Sequence, residues 1–137
     1  IPKQPQKYVG VLPIIYRSSY ERKFMGWLDS NPAVVQWSSE SIIIPYLNVV
    51  KKKVCRYFPD FYVKILEKNG QSKEYLIEIK PEKETTKPVK TKGMRTASHA
   101  FAAATYMINL SKWVEAKKFA EKRGWIFKLV TEKDLNL

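Results

Sequence analysis

The segment Tyr75-Leu76-Ile77-Glu78-Ile79-Lys80-Pro81 constrains this chain more than any other. Through its centre, apolar and charged side chains alternate with a period of two. As a strand it points Ile77 and Ile79 to one face and Glu78 and Lys80 to the other. The segment is apolar enough to be buried, and a lone buried charge is costly. Glu78 and Lys80 therefore need a partner or a chemical role. They could form a structural ion pair with each other, but such a pair on a buried face seldom adds much stability. A second segment, Arg56-Tyr57-Phe58-Pro59-Asp60-Phe61, places Asp60 directly after an aromatic strand. Asp60 caps that strand end, pairs with a lysine, or supplies a second carboxylate.

Two carboxylates and a lysine converging form the donor set that metal-assisted phosphodiester cleavage uses. Acids of this kind hold a divalent cation, Mg²⁺ or Mn²⁺, which offsets phosphate charge and helps ionise a water. The lysine orients or deprotonates that water, or stabilises the developing negative charge.

The overall charge points the same way. The formal net charge is +12 at pH 7, and basic side chains neutralise phosphates and release counterions. Nucleic acid is the first expected partner and an anionic membrane the second. The sequence shows no strongly amphipathic basic helix of the membrane-surface kind. No apolar run approaches the ~20 residues needed to span a bilayer. The stretch Ile1-Pro2-Lys3-Gln4-Pro5 lacks the apolar core of a signal peptide. It also lacks an initiator Met, so residues upstream are expected. Cys55 is the single cysteine, which excludes an intrachain disulfide or a cysteine-rich zinc site and fits a reducing compartment. At 137 residues and 45% hydrophobic content, the chain is expected to form one domain with a real core.

Residues 1–16, punctuated by Pro2, Pro5 and Pro13, read as an extended arm. Residues 17–29 read as a helix, with Tyr20, Phe24, Trp27 and Leu28 on one face, stopped at Asn31-Pro32. Strands are expected at 34–37, at 42–44, from 55 through 65 as one run past Pro59, and at 75–80. Asn69-Gly70 marks a hairpin turn before the 75–80 strand. Lys51, Lys52 and Lys53 fall in a turn. Residues 81–95 read as a mobile polar loop. Residues 97–123 read as a helix, with a break expected near Asn109-Leu110-Ser111 and a stop at Gly124. Residues 125–130 read as a last buried strand. The expected fold is α/β, a central mixed sheet flanked by helices.

Pro59-Asp60, a spacer and Glu78-Ile79-Lys80, in this order of elements, resemble the PD-(D/E)xK signature of the restriction-endonuclease-like superfamily. More motifs fit within it: Arg17-Ser18-Ser19-Tyr20-Glu21, Trp37-Ser38-Ser39-Glu40, Ile44-Pro45-Tyr46, Asn109, Lys112-Trp113 and Gly124-Trp125. From residue 17 onward this set resembles the head-completion nucleases of tailed bacteriophages. The amino-terminal domain of the Tn7-type transposase endonuclease subunit shows the same run of motifs. The resemblance implies a restriction-endonuclease-like core over residues 17–137 and cleavage of double-stranded DNA. It implies Asp60, Glu78 and Lys80 as catalytic residues, assisted by Glu21, with Asp60, Glu78, Glu21 and the Ile79 backbone carbonyl on the metal. It also implies a role in processing packaged DNA ends, with portal and neck proteins as partners, in the host cytoplasm and virion. Its rivals are a transposon-end endonuclease, a structural head or neck protein that keeps the fold, and a Holliday-junction resolvase.

Several residues carry competing readings. Ser18 and Glu21 match a capping box that needs no metal. Glu40 is the reserve acid and reads more simply as exposed or structural. Arg56 is a solvated strand residue or a phosphate contact. His99, the single histidine, reads as a surface residue at a helix start rather than a general base. Trp27, Trp37, Trp113 and Trp125 read as core, and Cys55 as a buried small residue. The expected DNA contacts are Arg17, Lys51, Lys52, Lys53, Arg56, Lys83, Lys87, Lys90, Lys92 and Arg95, whose alternative is a solvated charged surface.

Overall fold

A computed structural model of the chain describes residues 4–10 and 19–135. In chain order it contains α1 (Ser19–Ser30), β1 (Val34–Ser39), β2 (Ile44–Asn48), β3 (Lys53–Tyr57), β4 (Phe61–Leu66), β5 (Ser72–Ile79), α2 (Thr96–Lys122) and β6 (Ile126–Val130). Short 3-10 turns lie at Pro5–Lys7 and Glu82–Glu84. The architecture is mixed α/β, as expected. The main sheet has four strands in the order β1-β4-β5-β6. The first three run antiparallel, and β6 joins β5 in parallel after the crossover through α2. Strands β2 and β3 form a separate antiparallel hairpin rather than extending that sheet.

Alternation along β5 sorts its side chains between two cores. Ile77 and Ile79 pack with Phe61 and Val63 of β4 and with Phe24, Met25 and Leu28 of α1. Leu76 faces the other way, against Ile44, Tyr46 and Tyr57 of the hairpin and Trp113, Ala116 and Ala120 of α2. Glu78 shares the Leu76 face by the same period of two. The buried residues of α2 are Asn109, Trp113, Ala116 and Ala120, a stripe at helical spacing.

Four expectations about the elements are corrected. The strand at 42–44 in fact begins at Ile44 and runs on to Asn48. The run 55–65 is broken at Phe58-Pro59-Asp60, because Pro59 has no N–H with which to continue a ladder. There the chain leaves the hairpin, where Tyr57 pairs with Ile44, and enters the main sheet, where Phe61 pairs with Ser39 and Ile77. Helix α2 is unbroken through 109–111, since Asn109 sits on its buried stripe and Ser111 Oγ bonds back to the Met107 carbonyl at 3.2 Å. Trp27 is 46% exposed and Trp125 half-buried, whereas Trp37 and Trp113 are core.

The turn residues behave as read. Gly70 takes φ +84° at the β4–β5 hairpin and Gly124 takes φ +72° after α2, both left-handed conformations that glycine adopts without strain. Residues 4–10 dock on the α1 side. The buried Lys7 donates from Nζ to the carbonyls of Asp29 and Asn31 at 3.2 and 2.8 Å. That places a cation at the carboxyl end of α1, where helix carbonyls favour positive charge. Val9 N–H donates to the Trp37 carbonyl at 2.9 Å.

Candidate active site

The break between β3 and β4 brings Asp60 beside the end of β5. Its Oδ2 accepts the Ile79 N–H at 2.7 Å, and its carbonyl accepts the Glu40 N–H at 3.1 Å. These bonds hold Asp60 next to the strand that carries Glu78. Glu78 is 6% exposed. Its Oε1 accepts the Tyr57 hydroxyl at 2.7 Å, and its Oε2 lies 3.5 Å from Lys80 Nζ. The ion pair that the alternation permits is thus present, but it does not close the site. An open cleft of about 390 Å³ is lined by Glu40, Arg56, Tyr57, Phe58, Asp60, Glu78 and Lys112.

The electrostatics follow from two acids sharing a sheltered place. Burial, then the neighbouring Glu78 charge, pushes the Asp60 carboxyl up to about 8, against the pull of the Ile79 amide and Lys80; Glu21 adds to the rise. Burial also raises Glu78, opposed by the Tyr57 hydrogen bond and by Lys80 and Lys112. Burial, then Glu78, raises the Tyr57 hydroxyl far above its usual range, so it stays a donor. Lys112 is lowered by burial, with Glu78 acting in the other direction.

The donor chemistry fits a small divalent cation. Two adjacent carboxylates that are each costly to ionise are what a cation between them relieves. Mg²⁺ is commonly held by one or two carboxylates, with waters and substrate phosphates completing its shell. Among the described residues no group of three or more His, Cys, Asp or Glu side chains is disposed to hold a metal ion. Asp60 and Glu78 are the two acids of the motif that meet at the cleft, and Glu40 lines it beside them. Glu21, in the first turn of α1, is near enough for Asp60 to feel its charge. Ser18, its expected capping partner, lies outside the described residues.

The remaining candidates spread over the surface. Arg56 reaches the cleft, with its guanidinium 5.9 Å from the Phe58 ring centre. Lys51, Lys52 and Lys53 are exposed at the far tip of the β2–β3 hairpin. Lys83, Lys87, Lys90, Lys92 and Arg95 are exposed along the connection into α2, and Glu82, in the 3-10 turn that opens this connection, pairs with Lys133 at 2.8 Å. Arg17 lies outside the described residues. His99 is half-buried in the first turn of α2, and it does not line the cleft. Cys55 is half-buried. Glu40, the reserve acid, lines the cleft, with a positive φ of 50°.

Two site residues were missed. Tyr57 read as an aromatic strand residue, and its hydroxyl gave no sign of its partner. Lys112 lies 34 residues beyond Glu78 in the numbering and reaches the cleft because α2 packs on the hairpin. The Lys112-Trp113 pair, part of the motif set, was the signal that could have found it.

Comparison with known proteins places the chain among nucleases. The profile of a family described as TnsA-like endonuclease N terminal matches residues 31–132. The head completion nuclease of Enterobacteria phage T4 is 42% identical over an alignment that covers 98% of this chain and 90% of that protein. No solved structure matches.

Proposed function

Because this chain belongs to the TnsA-like endonuclease N-terminal family, we propose that it is a divalent-metal-dependent DNA endonuclease acting in phage head completion. The observation that carries the reading is the meeting of Asp60 and Glu78 at one cleft, with Lys80 beside them. Asp60 and Glu78 would hold Mg²⁺ or Mn²⁺, with the Ile79 carbonyl as a further ligand and Glu21 assisting from α1. Such a cation, when bound, offsets phosphate charge and lowers the pKa of a coordinated water.

The chain's own groups do the positioning. The Ile79 N–H fixes one Asp60 oxygen and the Tyr57 hydroxyl fixes one Glu78 oxygen, which orients the acids before substrate arrives. Lys80 orients the attacking water or stabilises the negative charge that grows on the phosphate. The water oxygen bonds to phosphorus as the water gives up a proton, the P–O bond to one deoxyribose oxygen breaks, that oxygen leaves with the bonding pair and takes up a proton, and the strand is cut. Arg56 and the lysines of the hairpin tip and the 83–95 connection hold the duplex by its phosphates. Binding is therefore weakly sequence-selective and salt-sensitive.

The extent of the match to the T4 protein favours the trimming of packaged DNA ends, with portal and neck proteins as partners in the host cytoplasm and the virion. The family description keeps transposon-end cleavage as the second reading. The test is cleavage of supercoiled and linear duplex with Mg²⁺ or Mn²⁺, comparing the wild-type chain, Asp60→Ala and added chelator. Loss in both controls is expected. Cleavage that survives Asp60→Ala in a folded protein would overturn the assignment.

A further inference from the structure

The geometry points to Lys112 as a second lysine of the site, a catalytic residue whose ammonium contacts the substrate phosphate from α2. This inference rests on the proposed nuclease function and extends it to an element remote in sequence from the Asp60 and Glu78-Ile79-Lys80 motif.

Lys112 differs from its neighbours on the helix. Lys117, Lys118 and Lys122 are exposed to solvent, whereas Lys112 is half-buried beside the packing stripe and lines the cleft with Asp60 and Glu78. Its Nζ lies 5.5 Å from the Tyr46 ring centre and 5.6 Å from that of Tyr57. Cation–π contacts of this kind hold an ammonium by its charge and leave its N–H groups for another acceptor. Tyr57 serves twice, since its hydroxyl binds Glu78 while its ring holds Lys112. The hairpin thus sets the acid and the second cation at a fixed spacing.

The bland alternative makes Lys112 a structural counter-ion for Glu78. Two observations weigh against it. The two Glu78 oxygens already have partners in the Tyr57 hydroxyl and Lys80. A divalent cation on Asp60 and Glu78 would also neutralise the pair by itself. The lysine charge is then left for the phosphodiester, whose negative charge increases towards the transition state. A half-buried ammonium in a sheltered cleft acts on that charge more strongly than a solvated one.

The test reads DNA binding, without metal, in the Asp60→Asn background, where cleavage is silenced and the carboxyl is replaced by an uncharged amide. Duplex affinity is measured against salt in chelator for the parent, Lys112→Met and Lys112→Arg. Losing one phosphate contact should make the slope of log K against log salt shallower by about 0.9. Affinity should fall roughly tenfold for Lys112→Met, while Lys112→Arg keeps the parent slope. Lys112→Gln repeats the measurement should Lys112→Met lower the melting temperature. An unchanged slope in the uncharged variants overturns the proposal, and a change in stability alone would mark Lys112 as a counter-ion. Cleavage abolished by Asp60→Ala together with an unchanged Lys112 slope sinks this inference only. Cleavage that survives Asp60→Ala sinks the assignment of Asp60 to the active site, and the slope still decides whether Lys112 contacts DNA.

Discussion

On the α1 side of the four-stranded sheet, Phe24, Met25, Leu28, Val34, Trp37, Phe61, Val63, Ile77, Ile79 and Val130 form a continuous apolar cluster. On the α2 side, the cluster of Ile44, Tyr46, Tyr57, Leu76, Trp113, Ala116 and Ala120 includes two tyrosines and two alanines, and Glu78 and Lys112 come in beside it. Both sides are supplied by the same strand, β5, through alternate residues. Small alanines on α2 let the helix approach the hairpin, and the tyrosines carry hydroxyls and ring faces that can hold charge. The contrast teaches that one face contributes stability and the other spends some of it on a site. The acids lie where Tyr57, Lys80, Lys112 and the Ile79 amide meet them, because a buried carboxylate without such partners would not be tolerated.

Four changes would break or sharpen that contrast. The largest effect belongs to the site face. Asp60→Asn or Glu78→Gln should reduce cleavage at least about a thousandfold, as loss of a central electrostatic group does. Thermal unfolding should be unchanged or shifted upward, because a buried charge is removed. A large drop in melting temperature would show that the acids hold the fold.

The α1 face should respond in the opposite manner. Leu28 is fully buried, so Leu28→Ala should cost about 3 kcal/mol in denaturant unfolding through lost burial and a cavity. Cleavage per folded molecule should remain near the parent value at low temperature. Activity lost in step with Leu28→Ala while the protein stays folded would mean that the two faces are coupled.

A pH scan in chelator reads the same acids as a graded change in stability. The folded Asp60 carboxyl is raised to about 8, whereas the unfolded one titrates near its ordinary value. Between those values the folded state binds more protons, so stability should fall as pH rises from about 4 towards 8. Asp60→Asn should flatten that slope. A stability that rises with pH across the window would show the acids to be favourably ionised without a cation.

Tyr57→Phe should be the mildest. It keeps the ring under Lys112 and removes only the hydroxyl bonded to Glu78. A loss of about tenfold in cleavage is expected for an orienting group one step from the metal acids. No change would show that Lys80 alone positions Glu78.

Much of this was legible along the chain because it rests on local chemistry. The period of two in β5 determined that Ile77 and Ile79 face one core and Glu78 the other. Asn69-Gly70 and Gly124 marked turns that need left-handed backbone, and both occur. The motif order pointed to Asp60 and Glu78 as one site, and the fold brings them to one cleft. What was misread depended on partners distant in sequence. Glu40 read as exposed or structural, and the sequence did not show that it lines the cleft with Asp60 and Glu78. The continuous strand assigned across Pro59 was in fact the passage between two sheets.

The sequence by itself determined the periods and the turns, since backbone sterics and side-chain alternation act over a few residues, and its motifs singled out the candidate acids. Only the tertiary structure decided that Tyr57 and Lys112 belong to the site and that the hairpin stands apart from the main sheet. Those outcomes depend on α2 packing its buried stripe against β2 and β3. That contact joins residues more than fifty positions apart, between Tyr57 and Lys112, and no local preference encodes it.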